Sequence, residues 1–316
     1  MRQTSGVALW CPRMEEEAVR PVTADNPTVL RLRLGAELRE LRHRREWSLE
    51  DVVSELQAVE VDISASKLNR LENGKGAVKI QDVRALIDLY QVDSATQRET
   101  LLQMAREARA AAPAAWWTDY ESVLPSGLST YVGLEAAAGK LMCFTHTLID
   151  GLLQTEDYAR ATIQAARYND SPQAIDRLVE LRMQRQKMLR TSPRLDLVAI
   201  MDEAALLRPI GGREAMRAQL RHIVDVCEQL ANISVLIVPL AQGAYPVMHG
   251  MFTLIEPREA GPGVVPVAYV DSPVGNLYLQ RPEQIETFRE LFGRLRAVAV
   301  DPEESLRIVR AAAEEK

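Results

Sequence analysis

The chain has 316 residues, 47% of them hydrophobic and 26% charged, and carries a net charge of −6. That length suits two domains, each with a core of its own, and the composition is that of a soluble globular protein. The negative balance excludes a protein that coats nucleic acid indiscriminately, and no apolar run approaches the roughly 18 residues that a membrane span needs.

Residues 1–27 read as a polar, disordered tail. Its opening, "MRQTSGVALWCPRM", has no signal-peptide core or cleavage site, so the chain is expected in the cytoplasm, and Met14 is an alternative start to Met1. Charge then arrives in blocks. Residues 31–45 carry six Arg against two Glu, residues 46–62 carry six acids and no Lys or Arg, and residues 67–79 carry four Lys/Arg against one Glu.

Five short helices are predicted over residues 28–112. Leu34, Leu38 and Leu41 fall on one face of the first. Leu49, Val52, Val53 and Leu56 do the same in the second, behind Ser48 as N-cap. The third begins at Ser64 in "SASKLNRLENGKG", where Ile63 and Leu68 have the spacing of a hydrophobic staple and Gly74 supplies a left-handed stop. Val83, Leu86, Ile87 and Tyr90 place the fourth, and "SATQRETLLQMAREARA" the fifth. "AAAPAA", with Pro113, marks the domain boundary.

Over residues 113–316 the pattern changes. "LSTYVGLEAAAGKLMCFTHTL" reads as one helix, "TEDYARATIQAAR" as another capped by Thr155, and "SPQAIDRLVELRMQRQKMLR" as a third with a charged face. Strand-length β-branched runs follow: "LDLVAIM", "ISVLIVPL", "MFTLIE", "VPVAYVD" and "NLYLQ". A helix over roughly 213–231 separates the first two runs, and Asp301-Pro302 opens a final helix. The fold class expected is an all-α N-terminal domain followed by an α+β domain, with helices packed on a mainly antiparallel sheet.

The outward positions of the third helix are Ala65, Ser66, Lys67, Asn69 and Arg70, and no acid falls among them before Glu72. A short capped helix with small, hydrogen-bonding and cationic groups on one face suits the major groove of DNA. Ser66, Lys67, Asn69 and Arg70 are the candidates for base edges, with Ser64 at the cap. Ser48, Lys75 and Lys79 suit phosphates. Glu72 reads as a structural acid, the Arg cluster of the first helix as a solvated face, and the acidic second helix as an offset to nonspecific attraction.

"LGAELRELRHRREWSLEDVV…ISASKLNRLENGKGAVKIQDVRALIDLY" resembles the Xre-type, phage-repressor helix-turn-helix. The connection between Leu56 and Ile63 is about five residues longer than the common form of that motif. With "AAWWTDYESVLPSG", "IDGLLQTEDYARA", "LRMQRQKML", "DEAALLRPIGGREAM" and "VPLAQGAYPVMHGMFTLIE" added in order, the chain looks like the actinobacterial Xre-type regulators with a C-terminal domain of unknown function, the WhiJ-like or Scr-type family. Asp150 stands where that family often has Pro. The resemblance implies a transcriptional regulator, often antitoxin-like, that works with a small partner protein.

No HExxH, CxxC or glycine-rich phosphate loop is present, so no cofactor, metal or catalytic residue is assigned. Cys11, Cys143 and Cys227 read as small apolar residues. Trp116 and Trp117 read as a pair packing one domain onto the other, with a ligand pocket or partner interface as the alternative. Asp202-Glu203 with Arg208 reads as helix capping, with a small polar site as the alternative. The basic run Arg177, Arg182, Arg185, Lys187 and Arg190 reads as a solvated face. The function expected is a homodimeric regulator that binds an inverted-repeat operator in double-stranded DNA. Its C-terminal domain would dimerise and sense a small-molecule effector or a partner protein. An enzymatic C-terminal domain controlled by its own DNA-binding module is the alternative.

Overall fold

The computed structural model describes residues 27–75, 77–110, 116–120, 122–125, 127–248, 250–258, 265–272 and 276–316. The tail readings, Cys11, and the boundary at Pro113 lie outside them.

Five helices form the N-terminal unit: α1 (Pro27–Arg44), α2 (Leu49–Ala58), α3 (Ala65–Glu72), α4 (Ile80–Leu89) and α5 (Ala95–Ala110). The periodic residues meet as expected. Leu34 and Leu38 of α1, Val52 and Leu56 of α2, Leu68 of α3 and Leu86 of α4 converge on one closed core. Each such buried side chain contributes roughly 1.5–3 kcal/mol.

The C-terminal unit runs α6 (Leu128–Ala137), β1 (Ala138–Thr145), α7 (Glu156–Ala166), α8 (Pro172–Gln186), β2 (Asp196–Asp202), α9 (Ala204–Leu207), α10 (Arg213–Gln229) and β3 (Ile233–Val238). It continues through β4 (Phe252–Pro257), β5 (Val267–Val270), β6 (Leu277–Leu279), α11 (Pro282–Val298) and α12 (Pro302–Glu314). The strands form one sheet in the order β3-β2-β1-β4-β5-β6. β1/β2 and β2/β3 are parallel, joined by helical crossovers, while β1/β4, β4/β5 and β5/β6 are antiparallel. The expected α+β domain is therefore present, on a mixed sheet in which the antiparallel pairings are the more numerous.

Both faces of the sheet are covered. Leu141, Cys143, Ala199 and Val235 point into a core shared with α7, α10 and α12, whereas Phe144, Ile200 and Leu236 meet Ile285, Phe292 and Leu295 of α11. The exposed backbone of β3 is closed by α12, whose Ser305 hydroxyl accepts from the Ile237 amide at 2.9 Å.

The stretch read as one helix from Leu128 to Leu148 is two elements, because α6 ends at Ala137 and β1 begins at the next residue. "AAAGK" has helix-friendly composition and no proline to stop it. The strand is set instead by register, with Cys143 opposite both Ala199 and Thr253.

α1 belongs to both units. Leu30, Leu34, Leu38 and Leu41 face the helical core, while Leu32 and Val29, one step round the helix, pack with Tyr131 and Leu134 of the second core. The α1–α6 crossing is tight: a Cβ on Gly133 would lie 2.1 Å from the Thr28 hydroxyl oxygen.

Candidate nucleic-acid interface

α3 is fixed at both ends. Ser64 Oγ accepts from the Lys67 amide at 3.2 Å, and Ile63 and Leu68 are fully buried, closing the staple. At the other end Lys75 N–H reaches the Arg70 carbonyl at 2.7 Å and Gly74 N–H reaches that of Leu71 at 3.1 Å. This is a Schellman closure, and its left-handed residue is Gly74 with φ +65°. Glu60, with φ 60°, is the left-handed residue that closes α2, its amide reaching the Gln57 carbonyl at 3.0 Å and that of Val61 the Leu56 carbonyl at 2.9 Å, and α3 docks on the core through Leu68 and Leu71.

Glu72, at the last turn of α3, is 2% exposed. Arg42 grips its carboxylate with both Nε and Nη2 at 2.8 Å and donates through Nη1 to the Trp47 carbonyl. Hydrogen bonding to Glu72 raises the pKa of Arg42, while burial lowers that of Arg39. Arg39 donates to the Glu72 carbonyl and to Asn73 Oδ1. Arg45 donates to the Tyr90 carbonyl. The structural reading of Glu72 is thus realised, and the solvated reading of the first-helix arginines is corrected for Arg42 and Arg39, which the acid draws inward as ties between α1 and α3, while Arg44 stays exposed.

The reading-face residues divide. Ser66, Asn69 and Arg70 are exposed on α3. Lys67, also predicted there, is bound by Asp82 of α4 at 2.7 Å. Lys79 is exposed at the N-cap of α4, and Lys75 is half-buried. Ser48 spends its polar atoms within its own helix. Its amide and hydroxyl both donate to Asp51 Oδ2 at 2.8 Å, and its oxygen accepts from the Asp51 amide. These bonds hold the Asp51 carboxyl below its ordinary pKa. Missed in the sequence was Asn73, whose amide Nδ2 donates to Asn69 Oδ1 at 2.8 Å.

The other predicted residues do not assemble into a second site. Trp117 is buried with Tyr120, Val132 and Leu181, and Trp116 stacks edge-on against it at 5.8 Å. The pair therefore packs inside the C-terminal unit, against α6 and α8, and not between domains. Glu203 accepts from the Leu240 amide at 2.8 Å, Asp202 caps α9 through the Ala204 amide and holds Tyr245, and Arg208 lies exposed. In the basic run, Arg185 is buried in a two-armed bond to Glu135 at 2.6 and 2.7 Å, and Arg182 donates to Gln154. Only Lys187 and Arg190 of that run are exposed as a solvated face would require, with Arg177 tied to Glu180.

"GLLQTEDYAR" is an internal junction. Asp150 caps the turn at Leu152, Gln154 bonds the Ile149 carbonyl and Arg182, and Thr155 donates to Gln219 instead of capping α7 through its hydroxyl.

Between the two units lies a cleft of about 1070 Å³ whose lining includes Arg31, Lys79, Gln81, Arg109, Thr118 and Ser129. Among the described residues, no group of His, Cys, Asp or Glu is placed to hold a metal, and no helix is long and apolar enough to cross a membrane.

A capped, exposed helix seated on a five-helix core defines a helix-turn-helix regulator that binds DNA, and residues 33–101 match the helix-turn-helix domain family. The chain belongs to the family of the domain of unknown function DUF5753, which matches residues 128–311. Comparison with curated proteins and with solved structures gives no match.

Proposed function

We propose that the chain is a sequence-specific transcriptional regulator of the WhiJ-like kind. α3 enters the major groove and Ser66, Asn69 and Arg70 meet base edges. Lys75, Lys79 and the α3 cap at Ser64 meet phosphates. The observation that carries this reading is the exposed Ser66–Asn69–Arg70 face on a helix closed at both ends. Ser48 and Lys67 take lesser parts, since Asp51 and Asp82 already occupy them.

One such helix covers a short half-site, so the reading includes a homodimer on an inverted repeat. The C-terminal unit supplies dimerisation and control, by a small molecule or a small partner protein as in antitoxin-like regulators. The cleft beside Lys79 and Arg109 is of a size for an effector. The protein acts in the cytoplasm, and catalysis forms no part of this reading.

The test is selection of genomic fragments by the purified chain and by Arg70→Ala, followed by rebinding at two salt concentrations. The expected result is an inverted-repeat motif that Arg70→Ala loses at one base by a factor of roughly 5–150. Weak, motif-free binding that is equal for both proteins would overturn it.

A further inference from the structure

Arg39 of α1, Asn73 at the C-cap of α3 and Asn69 within α3 make a chain of side-chain bonds that ends on the exposed face of α3. Arg39 of α1 donates through Nη2 to Asn73 Oδ1 at 3.0 Å. Asn73, just past the end of α3, donates through Nδ2 to Asn69 Oδ1 at 2.8 Å and to the Asn69 carbonyl at 2.7 Å.

The order of donors and acceptors in this chain is not free. A guanidinium has donors only, so the atom of Asn73 facing Arg39 must be its oxygen. That turns the Asn73 NH2 toward Asn69, and the atom of Asn69 facing it must in turn be oxygen. Each amide is set by the one before it. Asn69 therefore has its acceptor engaged and its two Nδ2 donors left for the groove.

We propose that the Arg39–Asn73 pair fixes the polarity of the Asn69 amide, making Asn69 a donor-presenting reader. This rests on the DNA-reading role of α3 proposed above. Guanine and thymine present acceptors in the major groove, through N7 and O6 or through O4, adenine presents the N7 acceptor beside its N6 donor, and cytosine presents only its N4 donor. At the base that Asn69 meets, the protein favours guanine or thymine, meets adenine only through N7, and rejects cytosine. Asn73 is a positioning residue, and its effect on base choice passes through Asn69.

The experiment is selection from a randomised operator library with the full chain, Asn69→Ala, Asn73→Asp and Asn73→Ala, with thermal melts alongside. Asn69→Ala locates the base, since only there does its preference profile flatten. Asn73→Asp keeps an oxygen for Arg39 but faces Asn69 with a second acceptor. With the aspartate held on Arg39, the Asn69 amide turns over and presents oxygen to the groove, against the repulsion of the Asn69 carbonyl that Asn73 bonds in the wild type. The expected result is a change of preference at that base from guanine or thymine to cytosine, adenine serving either polarity, with the ratio of cytosine to guanine or thymine moving by about tenfold or more. Asn73→Ala frees the amide and relaxes the choice without reversing it, so it carries the test if the aspartate variant melts early. Identical base preference in the wild type and in a folded Asn73 variant would overturn the polarity lock while leaving DNA reading intact. A wild-type selection with no enriched motif would overturn the reading beneath it, and the lock with it.

Discussion

Lys67 Nζ and the Asp82 carboxylate sit 2.7 Å apart, tying the first turn of α3 to the first turn of α4. A cation at the start of α3 is thereby neutralised from within the protein. Asp82→Asn should release it to phosphate. One more phosphate contact steepens the dependence of log K on log salt by about 0.9, and affinity for unrelated DNA should rise several-fold at low salt. Titrations at four salt concentrations decide this, and an unchanged slope would show that Lys67 never reaches the backbone.

The Arg42–Glu72 bond joins α1 to the last turn of α3, where neither partner reaches water freely. Removing one member strands a buried charge, so Glu72→Ala should cost roughly 3–5 kcal/mol in urea unfolding. Replacing both, as Arg42→Met with Glu72→Leu, should recover most of that loss, since the pair's desolvation is then removed too. A double variant as unstable as the single one would mean that shape, and not charge, holds the site.

His222 on α10 is half-buried, and burial, reinforced by Arg190, lowers its pKa below the ordinary 6.5. The unfolded chain then takes up this proton at a higher pH than the folded chain does. The stability concerned is complete above pH 6.5 and is lost as pH falls through the lower, folded value. Melting curves at pH 5.5 and 7.5 should differ more for the wild type than for His222→Gln. Equal differences would remove His222 from the account.

At the α1–α6 crossing, Gly133→Ala would place a methyl group 2.1 Å from the Thr28 oxygen. The helices must part, and overpacking of this kind costs roughly 1–3 kcal/mol. Hydrogen exchange should then quicken in α1 and α3 as well as in α6. Faster exchange confined to α6 would show that the two units do not feel one another.

The helical unit was readable because its signals are local: caps, a staple, a glycine stop and a period of 3.6 within each short helix. Even the structural role of Glu72 could be inferred from its place on the inward side of α3. What escaped depends on distance along the chain. Asp82 meets Lys67 from another helix, Glu135 captures Arg185 from fifty residues away, and no spacing rule announces either. β1 was hidden for the opposite reason, since its first residues look locally helical and only its neighbours β2 and β4 make it a strand. Asn73 was legible as a helix terminus, but its second role needs the three-dimensional approach of Arg39.

α1 lends Leu34 and Leu38 to one core and Leu32 to the other, and through Arg39 and Arg42 it also grips the end of α3. Such a helix works as a common axle. A displacement of α1 against the sheet side is therefore shared by the end of α3 that Arg39 and Arg42 hold. The same arrangement gives each core buried leucines from that single helix, Leu34 and Leu38 to one and Leu32 to the other.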